Sequence, residues 1–568
     1  MGTRTGHTAV LDQLIADGFR YMFGNPGTSE EGFLDALSDR PELTYVLALQ
    51  ESVAVMVADG YARATGGPAL VQIHSTPGLG NAVGALYQAM RGHSPLVVIG
   101  GDAGVRYQPL DAQMAGDLVG MARPVTKWAT MVTDPASLLR VLRRAVKIAL
   151  TPPRGPVYVC LPIDVLDAPS AEAVTPTVVP STRVAPDDDL IRQTAEVFAA
   201  AVRPVIFVGD GVSASGAQPE LTRVAELLGA EVWGVDAGDL NMSYAHPLWQ
   251  DLTGHMFGSV SKPITTAGDA LLVCGTYLMP EVFPELGPIF APGARVVHID
   301  LNAYEIAKNH PVDIGLVSDP KLTLARLAAA LDATMTAEQK QKAQGRAVAI
   351  GAKKAERVAA ERAADQPVRD HVPLRFTRFA EDLAGILPAD AVIFDEALTN
   401  SPAVVRYLTP TEPGRYFLSR GGSLGVGITG GVGAQLANPG KTVVAFSGDG
   451  GAMYTIQALW TAARANAPVK LVICNNRSYR LLQVNLQAFW RERGIVPHNF
   501  PLSFDMSEPP LRFDHIAQGY GVAAARVERP DEIVPTIRRA LAHPGPFLID
   551  VALEGDVHPE LIGVRCGQ

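Results

Sequence analysis

The chain has 568 residues, 47% of them hydrophobic and 19% charged, which is a globular composition and excludes a disordered chain. At about 150 residues per domain, this length predicts three or four domains. The net charge of −10, without a basic stripe, argues against nucleic acid as a partner, and the lack of an apolar run of about 18 residues argues against a membrane span or membrane partner.

Short apolar strands alternate with amphipathic helices along the whole chain, a pattern typical of parallel sheets with crossover helices. The first third opens with a predicted helix over residues 7–17. The predicted strands follow in chain order at residues 21–24, 44–49, 69–75, 95–101, 157–162, 204–211, 230–236, 270–275, 295–300, 391–397, 442–450, 470–476 and 546–553. We therefore predict an α/β protein with three doubly wound parallel-sheet domains.

Two segments separate the predicted domains. Residues 167–188 are rich in Pro, Ser, Thr and Val, which predicts a linker, and residues 336–367 are polar and rich in Ala and Lys, which predicts a surface helix and connector. We predict an N-terminal domain over residues 1–168, a middle domain over 186–335 and a C-terminal domain over 368–568. The first and last thirds have similar strand content, but no sequence repeat relates them.

The cysteines do not indicate a disulfide or metal framework. None belongs to a CxxC motif or to a metal-spaced set, and three lie in apolar runs that are predicted to be buried strands. Because the N-terminus also lacks an apolar signal core, we expect a cytoplasmic protein with reduced cysteines. The cysteines are Cys160, Cys274, Cys474 and Cys566.

The most informative motif lies in the last third. An apolar strand leads directly into Gly448, Asp449, Gly450 and Gly451, and the next predicted strand ends at Asn476, 27 positions after Asp449. In a parallel sheet both strand ends point to one crevice, where glycine amides and a helix N-terminus can bind phosphate. An Asp and an Asn supply the hard oxygen ligands that Mg²⁺ prefers. A bare Gly-Asp-Gly turn is more often structural, so the paired Asn carries the prediction.

This pairing resembles the cofactor motif of the thiamine diphosphate-dependent decarboxylase and acetolactate synthase superfamily. The resemblance implies thiamine diphosphate with Mg²⁺, or Ca²⁺ or Mn²⁺, and metal ligation by Asp449, Asn476 and the backbone carbonyl of Ser478. Glu51 matches the glutamate that activates the cofactor's aminopyrimidine ring. The alternative for Glu51 is a glutamate that only stabilises a helix N-terminus.

Further residues match family positions, and the first domain is most similar to benzoylformate decarboxylase. Leu424 matches the bulky residue that bends the cofactor, with the Gly422 carbonyl beside it. His74 matches a histidine that handles protons near the reacting carbon, Thr28 a serine that touches the substrate carboxylate, and Gln113 an active-site glutamine of benzaldehyde lyase. The other expected contacts to the cofactor are Asn25, Gly27, Asn81, Thr399, Gly448, Gly450, Gly451 and Tyr479.

The chain also departs from its family. The decarboxylase has a second catalytic histidine in the middle domain, but residues 275–285 contain none, and His255 is the nearby candidate. Three family substrate-pocket positions are replaced here by Leu398, Ser401 and Asn485. Asn485 makes that pocket more polar than a pocket for an aromatic acid would be. These three positions therefore do not determine which substrate the enzyme uses.

The leading hypothesis is a lyase or decarboxylase acting on a 2-oxo acid or hydroxy ketone, with carboligase capacity. Carboligases similar to acetolactate synthase or benzaldehyde lyase, and a 2-hydroxyacyl-CoA lyase, are alternatives. FAD in the middle domain is an open alternative that we do not favour. We also do not favour an inactive homologue or a dehydrogenase. The resemblance further implies a homodimer or homotetramer with active sites at subunit interfaces.

Overall fold

A computed structural model describes residues 4–557 and contains three six-stranded sheets in which all neighbouring strands are parallel. This confirms the predicted α/β class with three parallel-sheet domains. Cys160, Cys274 and Cys474 are buried and free, whereas the prediction for Cys566 lies outside the described residues. Within residues 4–557, no helix combines the length and apolar character needed to cross a membrane.

The first domain alternates strands and helices from its first residues. Its elements are β1 (Arg4–Thr5), α1 (Gly6–Ala16), β2 (Tyr21–Gly24), α2 (Glu31–Leu37), β3 (Thr44–Leu47), α3 (Glu51–Thr65), β4 (Ala69–His74), α4 (Ser75–Arg91), β5 (Leu96–Asp102), α5 (Leu118–Ala122), β6 (Trp128–Met131), α6 (Leu138–Leu150), β7 (Val157–Pro162), α7 (Ile163–Asp167) and β8 (Pro169–Ser170). Residues 171–187 then run on without helix or strand.

The middle domain repeats the alternation and ends in a long helix. Its elements are α8 (Asp188–Ala200), β9 (Pro204–Val208), α9 (Gly211–Ser215), α10 (Gln218–Leu228), β10 (Glu231–Gly234), β11 (Trp249–Leu252), α11 (Gly258–Thr265), β12 (Ala270–Cys274), β13 (Arg295–Asp300), β14 (Ile314–Val317), α12 (Pro320–Thr334) and α13 (Ala337–Asp365). Helix α13 has 29 residues, buries only Ala343 and Asp365, and starts with a Thr336–Gln339 capping box, which confirms the predicted surface helix.

The last domain carries the motif identified in the sequence. Its elements are α14 (Phe376–Ala384), β15 (Val392–Glu396), α15 (Ser401–Leu408), β16 (Tyr416–Leu418), α16 (Val426–Ala437), β17 (Val443–Gly448), α17 (Asp449–Met453), α18 (Ala458–Arg464), β18 (Lys470–Asn475), α19 (Arg480–Arg493), α20 (Phe513–Gly519), β19 (Ala523–Val527), α21 (Pro530–Ala542) and β20 (Phe547–Ala552).

The first and last domains share one strand order that the sequence did not reveal. The sheets read β3-β2-β4-β5-β7-β6 and β16-β15-β17-β18-β20-β19, which is the same order, 2-1-3-4-6-5, when the six strands of each sheet are counted from one. The middle sheet, β11-β10-β9-β12-β13-β14, has the dinucleotide-fold order instead. In such sheets ligands bind where the order reverses, which is between β2 and β4 in the first domain and between β15 and β17 in the last.

The first and last domains pack through α3 and α16. A Cβ atom on Gly60 of α3 would lie 2.4 Å from the carbonyl oxygen of Gly430, and one on Gly433 of α16 would lie 2.0 Å from the carbonyl of Val57. The two helices therefore touch backbone to backbone, a closeness that only glycine allows. This contact ties the middle of α16 to the domain that contains Glu51.

Ion pairs join all three domains in a partly buried group that we call the three-domain charge cluster: Arg63, Asp210, Asp236, Asp239 and Arg420. Arg420 Nη1 lies 2.6 Å from Asp210 Oδ2, and Arg63 Nη2 lies 2.8 Å from Asp239 Oδ1. Asp210 also accepts hydrogen bonds from backbone N–H groups of residues 238 and 239. Although burial alone raises it, Arg420 and Arg63 hold the pKa of Asp210 below its usual range.

Asp210→Asn is expected to lower the free energy of unfolding by about 3–5 kcal/mol at pH 7, because it leaves the buried Arg420 without its closest partner. Since the folded-state pKa of Asp210 is depressed, the difference from wild type should be complete above about pH 4, the usual Asp pKa, and should shrink as pH falls below it through the lowered folded-state pKa. Urea denaturation at several pH values measures both effects. Asp188→Asn, which breaks the exposed pair with Arg326, is the control and should cost less than about 1 kcal/mol.

Candidate active site

The first-domain site is built on the reversal point between β2 and β4. Strand β2 ends at Gly24 and leads into Asn25, Gly27 and Thr28, while β4 ends at His74. Because adjacent parallel strands end at the same edge of a sheet, these residues share one crevice. Glu51 enters it as the first residue of α3.

Glu51 is buried, with a relative exposure of 6%, and two amides hold its carboxylate. Asn25 Nδ2 donates to Oε1 at 3.1 Å, and Asn81 Nδ2 donates to Oε2 at 3.0 Å. Gly78 leaves room for it, since a Cβ there would lie 3.2 Å from Oε1. Both asparagines were predicted to contact cofactor or substrate; in the structure they orient Glu51, and the further contact stays a prediction.

His74 is held by a carboxylate that the sequence reasoning did not single out. Its Nδ1 lies 2.9 Å from Glu30 Oε2 and 3.1 Å from Ser29 Oγ. Ser29 Oγ donates to Glu30 Oε1 at 2.8 Å, and burial raises the pKa of Glu30. With Glu30 ionised, Nδ1–H is the donor and Nε2 is the ring atom that can exchange a proton. The only sequence signal for this was that Glu30 stands two residues after Thr28.

Gly27 is required by its contact with His74. A Cβ atom at this position would lie 2.0 Å from the Cγ atom of the imidazole ring, so any side chain would displace the ring. The backbone N–H of Gly27 also donates to Glu30 Oε2 at 3.1 Å. Gly27 thus shapes the site through His74, in addition to the cofactor contact that was predicted for it.

Thr28 and Gln113 are both exposed in the single chain. Thr28 begins a short 3₁₀ turn that contains Glu30. Gln113 lies in the long connection between β5 and α5, where the carbonyl of the next residue, Met114, is 3.4 Å from Ser75 Oγ. This contact brings the Gln113 segment against the residue that follows His74.

In the last domain, three backbone segments meet near the reversal point between β15 and β17. They are residues 421–425, the segment after β17 and the segment after β18. Gly421, Gly422 and Gly425 have φ values of 78°, 77° and 89°, so the segment around Leu424 uses the left-handed region that favours glycine. Leu424 is half-buried, and its neighbour Ser423 donates its N–H to Gln88 of α4 at 3.2 Å. We call residues 421–425 the wedge loop.

The predicted cation-binding segments, residues 448–451 and 475–478, lie at the ends of β17 and β18. We call them the metal motif. Asp449 is 4% exposed, and its carboxylate accepts hydrogen bonds from the backbone N–H groups of Gly450 at 2.8 Å and Arg477 at 2.5 Å. Burial raises the pKa of Asp449 to about 6. Asn476 Oδ1 accepts from the Ser478 N–H at 3.0 Å. The predicted donor groups therefore lie together at one sheet edge.

Predicted contact residues surround this motif. The ring of Tyr479 covers Gly450, where a Cβ atom would lie 2.7 Å from the ring, and Thr399 is buried in the turn after β15. A Cβ atom on Gly448 or on Gly422 would have no atom within 4 Å. Open space beside these two glycines is what close approach of a ligand to their backbone requires.

In the middle domain, the loop expected to carry a second catalytic histidine, residues 275–285, contains no histidine. His255 is exposed, and its carbonyl accepts a hydrogen bond from Val282 at 3.2 Å, so it lies beside the 275–285 loop.

In the last domain, Asn485 on α19 has a buried side-chain oxygen, Oδ1, without a hydrogen-bond partner within residues 4–557. Such an atom is suited to accept a hydrogen bond from a bound molecule.

Helix α4 separates Glu51 from the wedge loop of the same chain. Asn81 and Gly78 on α4 contact Glu51, whereas Gln88, seven residues after Asn81, contacts Ser423. At 1.5 Å per residue, the contacts made by Asn81 and Gln88 are about 10 Å apart along the helix axis. Within one chain, the contacts of Glu51 and of the wedge loop therefore lie about two turns apart along α4.

Family models cover most of the chain. Residues 4–121 match the N-terminal TPP binding domain of thiamine pyrophosphate enzymes, residues 191–327 match their central domain, and residues 399–551 match their C-terminal TPP binding domain. Thiamine pyrophosphate is another name for thiamine diphosphate. The two TPP binding domains contain Glu51 and Asp449, respectively.

Similar proteins match this chain over nearly its full length. Benzoylformate decarboxylase of Pseudomonas aeruginosa is 30% identical over 553 residues, covering 96% of this chain and 98% of that protein. The probable acetolactate synthase large subunit of Methanocaldococcus jannaschii is 30% identical over 567 residues, covering 97% and 92%. The solved structure of the thiamine diphosphate-dependent 4-hydroxybenzoylformate decarboxylase of Rhodococcus jostii matches with a TM-score of 0.84 at 27% identity, covering 98% of this chain and 100% of that one. The chain therefore belongs to the thiamine pyrophosphate enzyme family, on the side of the decarboxylases and acetolactate synthases.

Proposed function

We propose that this enzyme is a carbon–carbon lyase that decarboxylates a 2-oxo acid and has carboligase capacity. The observation that carries the proposal is the ordered pair of acid–base groups in the first-domain crevice. Glu51 is held by two amides, and His74 is held through Nδ1 by Glu30 so that Nε2 can exchange a proton. Two positioned proton carriers suit a reaction that removes carbon dioxide and protonates the remaining carbon.

Thiamine diphosphate supplies, when bound, the electron sink that lets a bond to a carbonyl carbon break. Around it, Glu51 would hold a proton at the aminopyrimidine ring nitrogen, and Leu424 and the Gly422 carbonyl would contact its rings. The expected contacts to the rest of the cofactor are Asn25, Gly27, Asn81, Thr399, Gly448, Gly450, Gly451 and Tyr479.

The residues at the metal motif fit a hard divalent cation such as Mg²⁺. Asp449 is a buried carboxylate at the sheet edge, Asn476 offers an amide oxygen, and Ser478 offers its backbone carbonyl. No group of three His, Cys, Asp or Glu side chains suited to a metal occurs within residues 4–557, so phosphate oxygens and water would complete the coordination. The open space beside Gly448 is where the diphosphate would approach the backbone.

Polar groups in the proposed substrate region favour a substrate with a hydrogen-bond donor. Asn485 Oδ1 is buried without a partner among the described residues, and α19 packs beside the turn that carries Leu398 and Thr399. Thr28 could donate to the substrate carboxylate, and Ser401 lies one residue beyond that turn. Because an unpaired buried acceptor costs about 1–3 kcal/mol, a substrate that donates to Asn485 gains that amount over one that does not.

Gln113 supports carboligation as a second candidate function. It is exposed on the segment that touches Ser75, so its amide could donate to the carbonyl of a second substrate. Carboligation of the benzaldehyde lyase type would use this group. Product analysis with an added aldehyde separates this function from simple decarboxylation.

A substrate panel tests the proposed function. Benzoylformate, its 4-hydroxy derivative, pyruvate, branched 2-oxo acids, benzoin and 2-hydroxyacyl-CoAs are each supplied with cofactor and Mg²⁺, and release of carbon dioxide and aldehyde is followed. We expect turnover of at least one 2-oxo acid. Cleavage of benzoin or of a CoA thioester alone would replace the decarboxylase proposal with a lyase of that class.

We further propose that the enzyme works as a homodimer or homotetramer whose active sites combine Glu51 of one subunit with the wedge loop and metal motif of another. The separation of about 10 Å along α4 supports this, because Glu51 and Leu424 must reach rings of the same bound cofactor. Oligomers with two-fold symmetry place two such composite sites at one interface.

Subunit mixing tests the composite site. Glu51→Gln and Asp449→Ala subunits are each expected to be nearly inactive alone. In a mixed dimer one site carries both changes and the other carries neither, so purified mixed dimers should recover about half of the wild-type activity per dimer. Activity of tandem-tagged, purified mixed oligomers is the measurement. If the mixture stays as inactive as its parents, each site lies within one chain.

A further inference from the structure

Glu396 is a buried carboxylate at the end of β15 to which the reaction as described assigns no role. It is 1% exposed and accepts four hydrogen bonds. Oε1 accepts from the backbone N–H of Gly425 at 2.7 Å and of Val426 at 3.1 Å. Oε2 accepts from the N–H of Gly427 at 2.8 Å and from Ser447 Oγ at 2.8 Å.

These four donors come from two different parts of the cofactor site. Gly425 closes the wedge loop and is the N-cap of the twelve-residue helix α16, whose first residues are Val426 and Gly427. Ser447 belongs to β17 and stands two residues before Asp449. One carboxylate therefore connects the segment that carries Leu424 to the strand that carries the metal ligand.

The chemistry of the contact requires a carboxylate. The first N–H groups of a helix lack partners within the helix, and the Glu396 carboxylate accepts from those of Gly425, Val426 and Gly427 at the start of α16. Burial raises the pKa of Glu396, and these hydrogen bonds oppose that rise. The approach is close enough to need glycine, since a Cβ atom on Gly427 would lie 2.9 Å from Oε2. Gly451 of the metal motif also lies against this group, with its Cβ position 3.3 Å from Ser447 Oγ.

We propose that Glu396 is the positioning residue that sets the distance between the Leu424 wedge and the Asp449 metal site. The diphosphate end of the cofactor would be held at Asp449 and its ring end would contact Leu424, so the spacing of the two segments would decide whether both ends are held together. Glu396 touches neither substrate nor cofactor in this scheme; it acts through the wedge loop and through Ser447. The inference rests on the proposed placement of the cofactor at these residues.

Glu396→Gln disturbs this connection in a defined way. The amide NH₂ group cannot replace Oε1, where two N–H donors point, so it would take the place of Oε2. There Ser447 Oγ can turn to accept, but the Gly427 N–H loses its acceptor. The start of α16 is thereby loosened while the fold keeps most of its contacts.

The control is another buried carboxylate of similar bonding. Asp365, 2% exposed, accepts hydrogen bonds from Arg406 at 2.8 Å and Tyr407 at 2.9 Å, and it connects α13 to α15 and not the wedge loop to the metal motif. Asp365→Asn should lower the melting temperature through a broken buried ion pair. It should leave the spacing at the cofactor site unchanged.

Two measurements on the full-length enzyme test the proposal: the dissociation constant of thiamine diphosphate at saturating Mg²⁺, and the rate at which the bound cofactor exchanges its C2 proton for deuterium. For Glu396→Gln we expect exchange at saturating cofactor to fall at least about tenfold, because a shift of about 1 Å at a reacting geometry can cost that much or more. For Asp365→Asn both quantities should stay within about twofold of wild type.

Each result has a distinct meaning. Equal exchange in Glu396→Gln and wild type, or an equal loss in Asp365→Asn, overturns the positioning role. If Glu396→Gln does not fold, Ser447→Ala removes only the connection to β17 and should still slow exchange, and normal exchange in that variant also overturns it. If wild type itself does not bind thiamine diphosphate, the proposed function fails instead.

Discussion

Replacing Glu51 by glutamine is expected to lower kcat by about 10²–10⁴, the contribution typical of a positioned acid–base group. Glutamine keeps the size of the side chain but cannot exchange a proton at the aminopyrimidine ring. Because Asn25 and Asn81 hold the side chain from both oxygens, the variant should remain in place, with one asparagine amide rotated to accept. The affinity for thiamine diphosphate should change little.

Steady-state rates on the best substrate of the panel measure this effect. The matched control is Glu31→Gln, because Glu31 is also the first residue of a helix but is exposed to solvent. If Glu51 only stabilised the N-terminus of α3, both variants would lose a few tenths of a kcal/mol of stability and no activity. Full activity of Glu51→Gln would therefore remove Glu51 from the reaction.

Asp449→Ala is expected to abolish metal-dependent binding of the cofactor, and with it all turnover. Asp449 is the one carboxylate proposed to hold the cation, and an alanine leaves only the Asn476 and Ser478 oxygens, which are neutral donors that bind Mg²⁺ weakly without a protein carboxylate. Wild type should show a rise in melting temperature when thiamine diphosphate and Mg²⁺ are added together, since a ligand that binds only the folded state stabilises it. The variant should show no such rise.

Thermal melts with cofactor alone, Mg²⁺ alone and both together measure this prediction. Asp390→Ala is the control, because Asp390 is exposed at the opposite, amino end of β15 and should leave the cofactor-dependent rise unchanged. A rise in Asp449→Ala as large as in wild type would place the cation elsewhere. Asn476→Ala would then show whether the second strand end takes part.

The sequence supported the cofactor class because the metal motif is local in the chain. Asp449 and Asn476 belong to one strand–helix–strand unit, so their spacing and the glycines beside them preserve the geometry of the site. The alternation of apolar strands and helices likewise predicted three parallel sheets, which the structure confirms. Strand order was not predictable in this way, because periodicity shows that a strand exists but not which strand lies beside it.

The partners of the predicted residues depended on tertiary structure. Glu30 is close to Thr28 in sequence, but its contact with His74 joins positions 44 residues apart, and only the meeting of β2 and β4 creates it. Glu396 bonds to residues 29 to 51 positions away on two different elements. No local pattern marks such a residue, because burial and shared partners arise when separate segments pack.

Chemistry that depends on residue type and short spacing was thus decided by the amino-acid sequence: an α/β enzyme of the thiamine pyrophosphate family with its Glu51 and Asp449. The arrangement that lets these groups cooperate was decided by folding. The contact of Arg420 with Asp210 spans 210 positions, and three domains meet around it. On α4, the residue that contacts Glu51 and the residue that contacts the wedge loop lie about two turns apart. The physical reason is that such contacts are set by packing distance in space, which strand order and helix length determine and which sequence separation does not report.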